Sequence, residues 1–326
     1  MLTANLNRLL VTGLMLVLGA LVAMQSSYLN QVAIITMIFV ILAASMNLIA
    51  GSAGLLSLGH AAFFGVGAYA SALLSTRADW PVVVTVPVAG VIAAAIGAVV
   101  AIPTMRLISI YFAVATLGIG EMIYVVLLNW VDLTRGPMGI RGIPGIALPG
   151  LSSTLSGMVV VAAVMLVSLW VMHRITHSYY GNALRALRED DACADAMGID
   201  VPRLKLESFS ISCYFAGVAG ALFAHTTGYI GPESFRLMES ILILSMVVVG
   251  GLGSIYGSII GAVLLSVLPE ALRQLGSYRM IVVGAVLFCS ILFLPKGLVG
   301  EVSALRLIRA QLRRRGTRPN DLHPVW

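Results

Sequence analysis

The chain has 326 residues, 59% hydrophobic and only 10% charged, with 20 basic against 14 acidic side chains and a formal net charge of +6. Mean hydropathy is +0.99. A soluble domain carries about a quarter of its residues as charged groups, so this composition excludes one and requires a membrane protein. Its spans must be helices, because lipid offers backbone groups no partner and the alternation of a barrel strand is absent.

An apolar run of about 20 residues crosses the hydrocarbon core. Taken in order, such runs predict ten crossings: 9–28, 31–50, 57–76, 82–102, 108–130, 154–173, 206–228, 239–252, 254–272 and 279–295. The first follows Arg8 and lacks a small-x-small cleavage site, so it reads as a membrane helix rather than a signal peptide. Residues 1–300 form one all-α polytopic helix bundle, and 301–326 form a basic tail. Ten crossings put both termini on one side. Fourteen of the 20 basic residues fall on that side and six, from Arg77 to Arg279, fall opposite, which places both termini in the cytoplasm. The tail RLIRAQLRRRG then meets anionic lipid headgroups, and the net charge calls for no nucleic acid.

Two connections exceed a tight turn. Residues 131–153 are rich in Gly and Pro and read as an ordered, irregular outer loop. Residues 174–206 hold much of the chain's charge on the cytoplasmic side. Within them Asn182 to Met197 predicts one helix, with Leu184, Leu187 and Met197 as apolar positions, an Arg185/Glu189 i,i+4 pair, and Gly198 as its stop. Elsewhere small residues line helix faces. Gly253, Gly257 and Gly261 are spaced four apart, a pattern that lets helix backbones approach closely. Gly51-Ser52-Ala53-Gly54 and Gly250-Gly251-Leu252-Gly253 both interrupt apolar runs on one side and hint at an internal repeat.

Several chemistries are missing. Neither Lys205 nor Lys296 follows a phosphate-binding Gly-rich turn, so the chain does not hydrolyse ATP alone. Ser52 and Ser57 with His60 or His225 make a poor nucleophile setting. No Cys-x-x-Cys occurs, and only His173 and His177 share a helical spacing, so no metal site is expected. What remains is a set of polar groups inside apolar runs. Glu121 lies midway along 108–130, where a charge costs about 3 kcal/mol or more and must face the bundle interior or a watery path. Asn47, Ser57, His60, Thr116, His225 and Glu239 are weaker examples.

Four stretches carry a resemblance: GLLSLGHAAFFGVGAYASALL from Gly54; YFAVATLGIGEMIYVVLLNW from Tyr111 with LTRGPMGIRGIP after it; GNALRALREDDACADAMGID from Gly181 running into KLESFSISCYFAGVAGALFAH; and VVVGGLGSIYGSIIGAVLL from Val247. In this order they resemble the LivM-type permeases of branched-chain amino acid ABC transporters. Glu207 and Ser208 stand where that family has apolar or small residues, and Arg135 where it commonly has Gly. The resemblance implies a bacterial inner-membrane importer in which this subunit pairs with a second related permease. Two cytoplasmic ATPases, which hold ATP and magnesium, bind beneath, and a periplasmic solute-binding protein delivers leucine, isoleucine, valine or a similar solute. This chain itself binds no cofactor and is not an enzyme. Asn182 to Met197 then resembles the coupling helix, with Leu184, Arg185, Leu187, Arg188, Glu189, Asp190 and Asp191 toward the ATPase. Its four acids argue against a lipid-binding helix, which is mostly basic. Ser57, His60, Thr116 and Glu121 are the expected path residues, with Ser57 and His60 at the head of a helix facing the second permease. Rival readings are a permease for urea, short amides or other amino acids, a proton-coupled carrier working through Glu121, and an intramembrane enzyme.

Overall fold

The computed structural model describes residues 27–273, apart from 105, 106, 108, 148, 149 and 151, together with scattered residues between 281 and 298. The expected first and last crossings, Arg8 and the basic tail lie outside the described residues.

Eight helices run back and forth through the bundle, each built from an apolar run predicted above. They are α1 (Ser27–Asn47, continued by a π turn over Leu48–Ser52), α2 (His60–Arg77), α3 (Val82–Thr104), α4 (Ser109–Asn129), α6 (Ser153–Thr176), α9 (Val201–Thr227), α10 (Leu237–Gly250) and α11 (Ile255–Ala271). The connection 131–152 marks one end of the bundle, here the far end, and 177–200 the other, the near end. Among the described residues five helices are long and apolar enough to cross a membrane: 28–52, 82–104, 110–129, 154–176 and 201–227. The expected crossing at 239–252 is a 14-residue helix, about 21 Å long against a core of about 30 Å. It stops short because Gly251 and Gly253, at φ +119° and +83°, take conformations a helix cannot continue through.

α9 is the central post, packed along α2 and α3. Small residues permit this. A Cβ on Gly67 would strike the Gly217 carbonyl, and one on Gly220 would strike the Phe64 carbonyl. Phe209 of α9 meets Phe63 and Phe112 edge-on, each at 5.4 Å between ring centroids. α10 and α11 close on each other through Gly250, Gly257 and Gly261, where added Cβ atoms would meet the opposing backbone. Gly253 instead sits in the turn between these helices.

The far-end loop has more structure than an irregular connection. It holds α5 (Val131–Thr134), a 3-10 turn at Gly136–Met138, and β1 (Ile140–Arg141), which pairs antiparallel with β2 (Tyr229–Ile230). Arg135 closes α5 at φ +61°. A left-handed residue explains why glycine suits that position.

Candidate functional site

At the near end the expected single helix 182–197 is two: α7 (Tyr179–Glu189) and α8 (Asp191–Ala196). Asp190 breaks it, with extended backbone at φ −161° and ψ 116°. Its Oδ1 accepts from the backbone N–H of Ala192 at 2.8 Å and of Cys193 at 3.0 Å. These donors hold the Asp190 carboxyl below its ordinary pKa of 3.8. Gly198 follows α8 at φ +85°.

The seven residues expected to face a partner divide sharply. Leu184 and Leu187 are 0% and 2% exposed, so they root α7 in the chain's own core. Arg185 does not pair with Glu189; its guanidinium donates to Asn182 Oδ1 at 2.5 Å and to the Thr176 carbonyl at 3.4 Å. Asp191 is taken by Lys205 of α9 at 2.5 Å, an otherwise buried ammonium. Arg188 Nη1 donates to the Gly51 carbonyl at 2.7 Å, and its stem lies against Gly54. Glu189 alone of the seven is exposed with no hydrogen-bond or ion-pair partner among the described residues. Two apolar side chains turn outward: Tyr179 is 94% exposed and Met197, expected only as an apolar position of the helix, is 83% exposed.

The Arg188 contact leads inward. Asn47 Oδ1 accepts from the Gly253 N–H at 2.9 Å, and a Cβ on Gly51 would collide with both groups. The two glycine interruptions, so distant in sequence, therefore meet, and α7 is fastened to their junction.

A second polar cluster surrounds the head of α2. The Ser45 hydroxyl donates to the Leu42 carbonyl at 2.8 Å and so accepts from His60 Nε2–H at 2.8 Å. Nδ1 of His60 and the hydroxyl of Ser57 are buried without a partner. Thr116 of α4 accepts from the Leu58 N–H at 3.1 Å, and Ser240 of α10 from the Ala61 N–H at 2.9 Å. The Ser240 hydroxyl satisfies a donor that the first turn of α2 leaves open. Ser57 and His60 are 0% exposed and Thr116 is 1% exposed. These three, expected along the path, are packed between helices. Glu121 is different: it is half-buried on a small crevice lined by Leu58, Gly59, Ala62, Leu117, Gly120, Phe235, Leu237 and Ser240.

His225 binds far-end elements together. Its Nδ1–H donates to the Pro144 carbonyl at 2.7 Å, while Nε2 accepts from the Ser71 hydroxyl at 2.9 Å with Thr85 Oγ1 at 3.3 Å. His173 and His177 stack at 4.0 Å at the end of α6. Among the described residues no three His, Cys, Asp or Glu side chains gather as a metal site.

Residues 28–291 match the family described as branched-chain amino acid transport system / permease component. The chain belongs to that family. The permease is 36% identical over 294 residues to the high-affinity branched-chain amino acid transport system permease protein LivM of Escherichia coli (strain K12), covering 82% of this chain and 69% of that one. It is 37% identical over the same length to its namesake in Salmonella typhimurium. The permease protein LivH of Salmonella typhimurium is 31% identical over 197 residues, 56% of this chain and 62% of that one. No solved structure matches. The permease is a multi-pass membrane protein.

Proposed function

We propose that this chain is the LivM-type permease subunit of an ABC importer that moves leucine, isoleucine and valine into the cytoplasm across a bacterial inner membrane. A second, LivH-like permease pairs with it, and a periplasmic binding protein delivers solute at the far end. The near end is cytoplasmic, both termini lie on that side, and the full chain crosses ten times. Two ATPases hold ATP and magnesium and seat on α7 and α8; this chain catalyses nothing, and its other contacts are with lipid.

The observation that carries the reading is the fastening of α7. Leu184 and Leu187 root it, Arg188 ties it to Gly51, and Tyr179, Glu189 and Met197 point outward. A helix held on one side and bare on the other transmits a push. ATPase closure at α7 then displaces the Gly51/Gly253 junction and rocks the two permeases between outward and inward openings. The test is reconstitution of the chain with its partners in proteoliposomes. Leucine uptake requires ATP and all subunits, and Glu189→Arg lowers it; uptake at the native rate with Glu189→Arg contradicts the reading. Uptake by the chain alone under a proton gradient would instead support the carrier reading that the bare Glu121 carboxylate keeps open.

A further inference from the structure

Glu121 stands on α4, which exposes Val114, Met122 and Val125. It has no hydrogen bond or ion pair with any described residue. A carboxylate turned to lipid midway along a span costs about 3 kcal/mol or more, so this face is covered by protein or opens on water. The crevice at Glu121 has apolar walls, Leu58, Leu117 and Phe235, and a floor stripped of side chains. Gly120 lies directly over Gly59, where a Cβ would come within 3.2 Å of the Gly59 Cα. One turn toward the far end, the Tyr124 hydroxyl donates to Glu233 at 2.7 Å, and Arg236 lies 5.3 Å over the Tyr124 ring while pairing with Glu233 at 3.3 Å. Glu233 thus holds Arg236, and Glu121 has no ion-pair partner among the described residues.

A carboxylate with no ion-pair partner among the described residues, beside Leu58, Leu117 and Phe235 in a transport protein, fits a ligand with an ammonium group next to a branched hydrocarbon. We infer that Glu121 binds the α-ammonium of the amino acid in transit, with the aliphatic side chain against Leu58, Leu117 and Phe235. The inference rests on the transport reading above and assigns the residue that tells an amino acid from other aliphatic solutes.

The test uses the assembled importer in a Cys193→Ser, Cys289→Ser background carrying Leu117→Cys, with maleimide labelling at position 117 as the readout. Leucine and isopentylamine slow labelling, isocaproate does not, and Glu121→Gln abolishes protection while Glu121→Asp retains it. In uptake, Glu121→Gln lowers leucine import about tenfold, the factor that about 1.4 kcal/mol of lost binding gives. Equal protection by isocaproate, or protection that survives Glu121→Gln, overturns the inference. A complex that never imports leucine with ATP overturns the transport reading itself, whichever ligands protect.

Discussion

Replacing Arg188 with alanine separates docking from transmission. The substitution removes the 2.7 Å bond to the Gly51 carbonyl and the stem packed on Gly54, leaving Tyr179, Glu189 and Met197 in place. Hydrogen bonds from a charged donor contribute about 1.5–3 kcal/mol. Arg188 is largely exposed, and solvent competition lowers the figure to about 1 kcal/mol. That is a factor of about 5 in the equilibrium between a tethered and an untethered Gly51 junction. The assay is the ratio of leucine imported to ATP hydrolysed in proteoliposomes, alongside the affinity of the ATPases for the permease. Arg188→Ala lowers the ratio about fivefold and leaves the affinity unchanged, and Arg188→Lys recovers part of the ratio. An unchanged ratio in a correctly folded variant refutes transmission through Gly51, and a lost affinity makes Arg188 a docking contact instead.

Further expectations concern the scaffold. His225→Ala strands the Ser71 hydroxyl and the Pro144 carbonyl, and at about 1–3 kcal/mol per unsatisfied buried group it lowers the thermal stability of the purified permease; an unchanged melting temperature contradicts its role as the far-end tie. Gly261→Leu drives a side chain into the Met246 carbonyl, overpacking that costs about 1–3 kcal/mol and is read as reduced folded yield, whereas a native yield shows that α10 and α11 can part freely. Because the Asp190 carboxyl is held below its ordinary 3.8, its capping stabilises the folded form fully above that pH and is lost as pH falls through the depressed folded value. Amide exchange over residues 190–197, corrected for intrinsic rates, therefore opens in that acid window in the native chain and stays flat in Asp190→Asn; opening in both removes Asp190 as the cause.

Helix positions were legible because apolar run length and lipid leave the backbone one solution. The run at 82–102 is Val82–Thr104 in the structure. Where prediction and structure part, short polar residues account for it. α9 begins at Val201 rather than 206 because Asp200 caps it, accepting from the Arg203 N–H at 3.1 Å, with Pro202 in the first turn. Asp190 does the same inside a run that otherwise reads as one helix. The candidate site was legible as residue types but not as partners. Arg188 and Gly51 looked like a surface charge and a packing glycine, and Ser57 and His60 looked like path residues. Nothing in sequence spacing says that Gly253 reaches Asn47, that Pro144 reaches His225, or that Lys205 takes Asp191. Those pairs depend on how the helices are threaded. Glu121 stood out because a bare carboxylate in an apolar run is costly in any arrangement.

Cys193 of α8 is exposed and Cys213 is buried, so a membrane-impermeant maleimide, in a Cys289→Ser background, reports directly on the docking surface. The account predicts labelling of Cys193 in inside-out vesicles, none in right-side-out vesicles, and protection when the ATPases are bound. Labelling from the outer side, or labelling indifferent to bound ATPases, would contradict it.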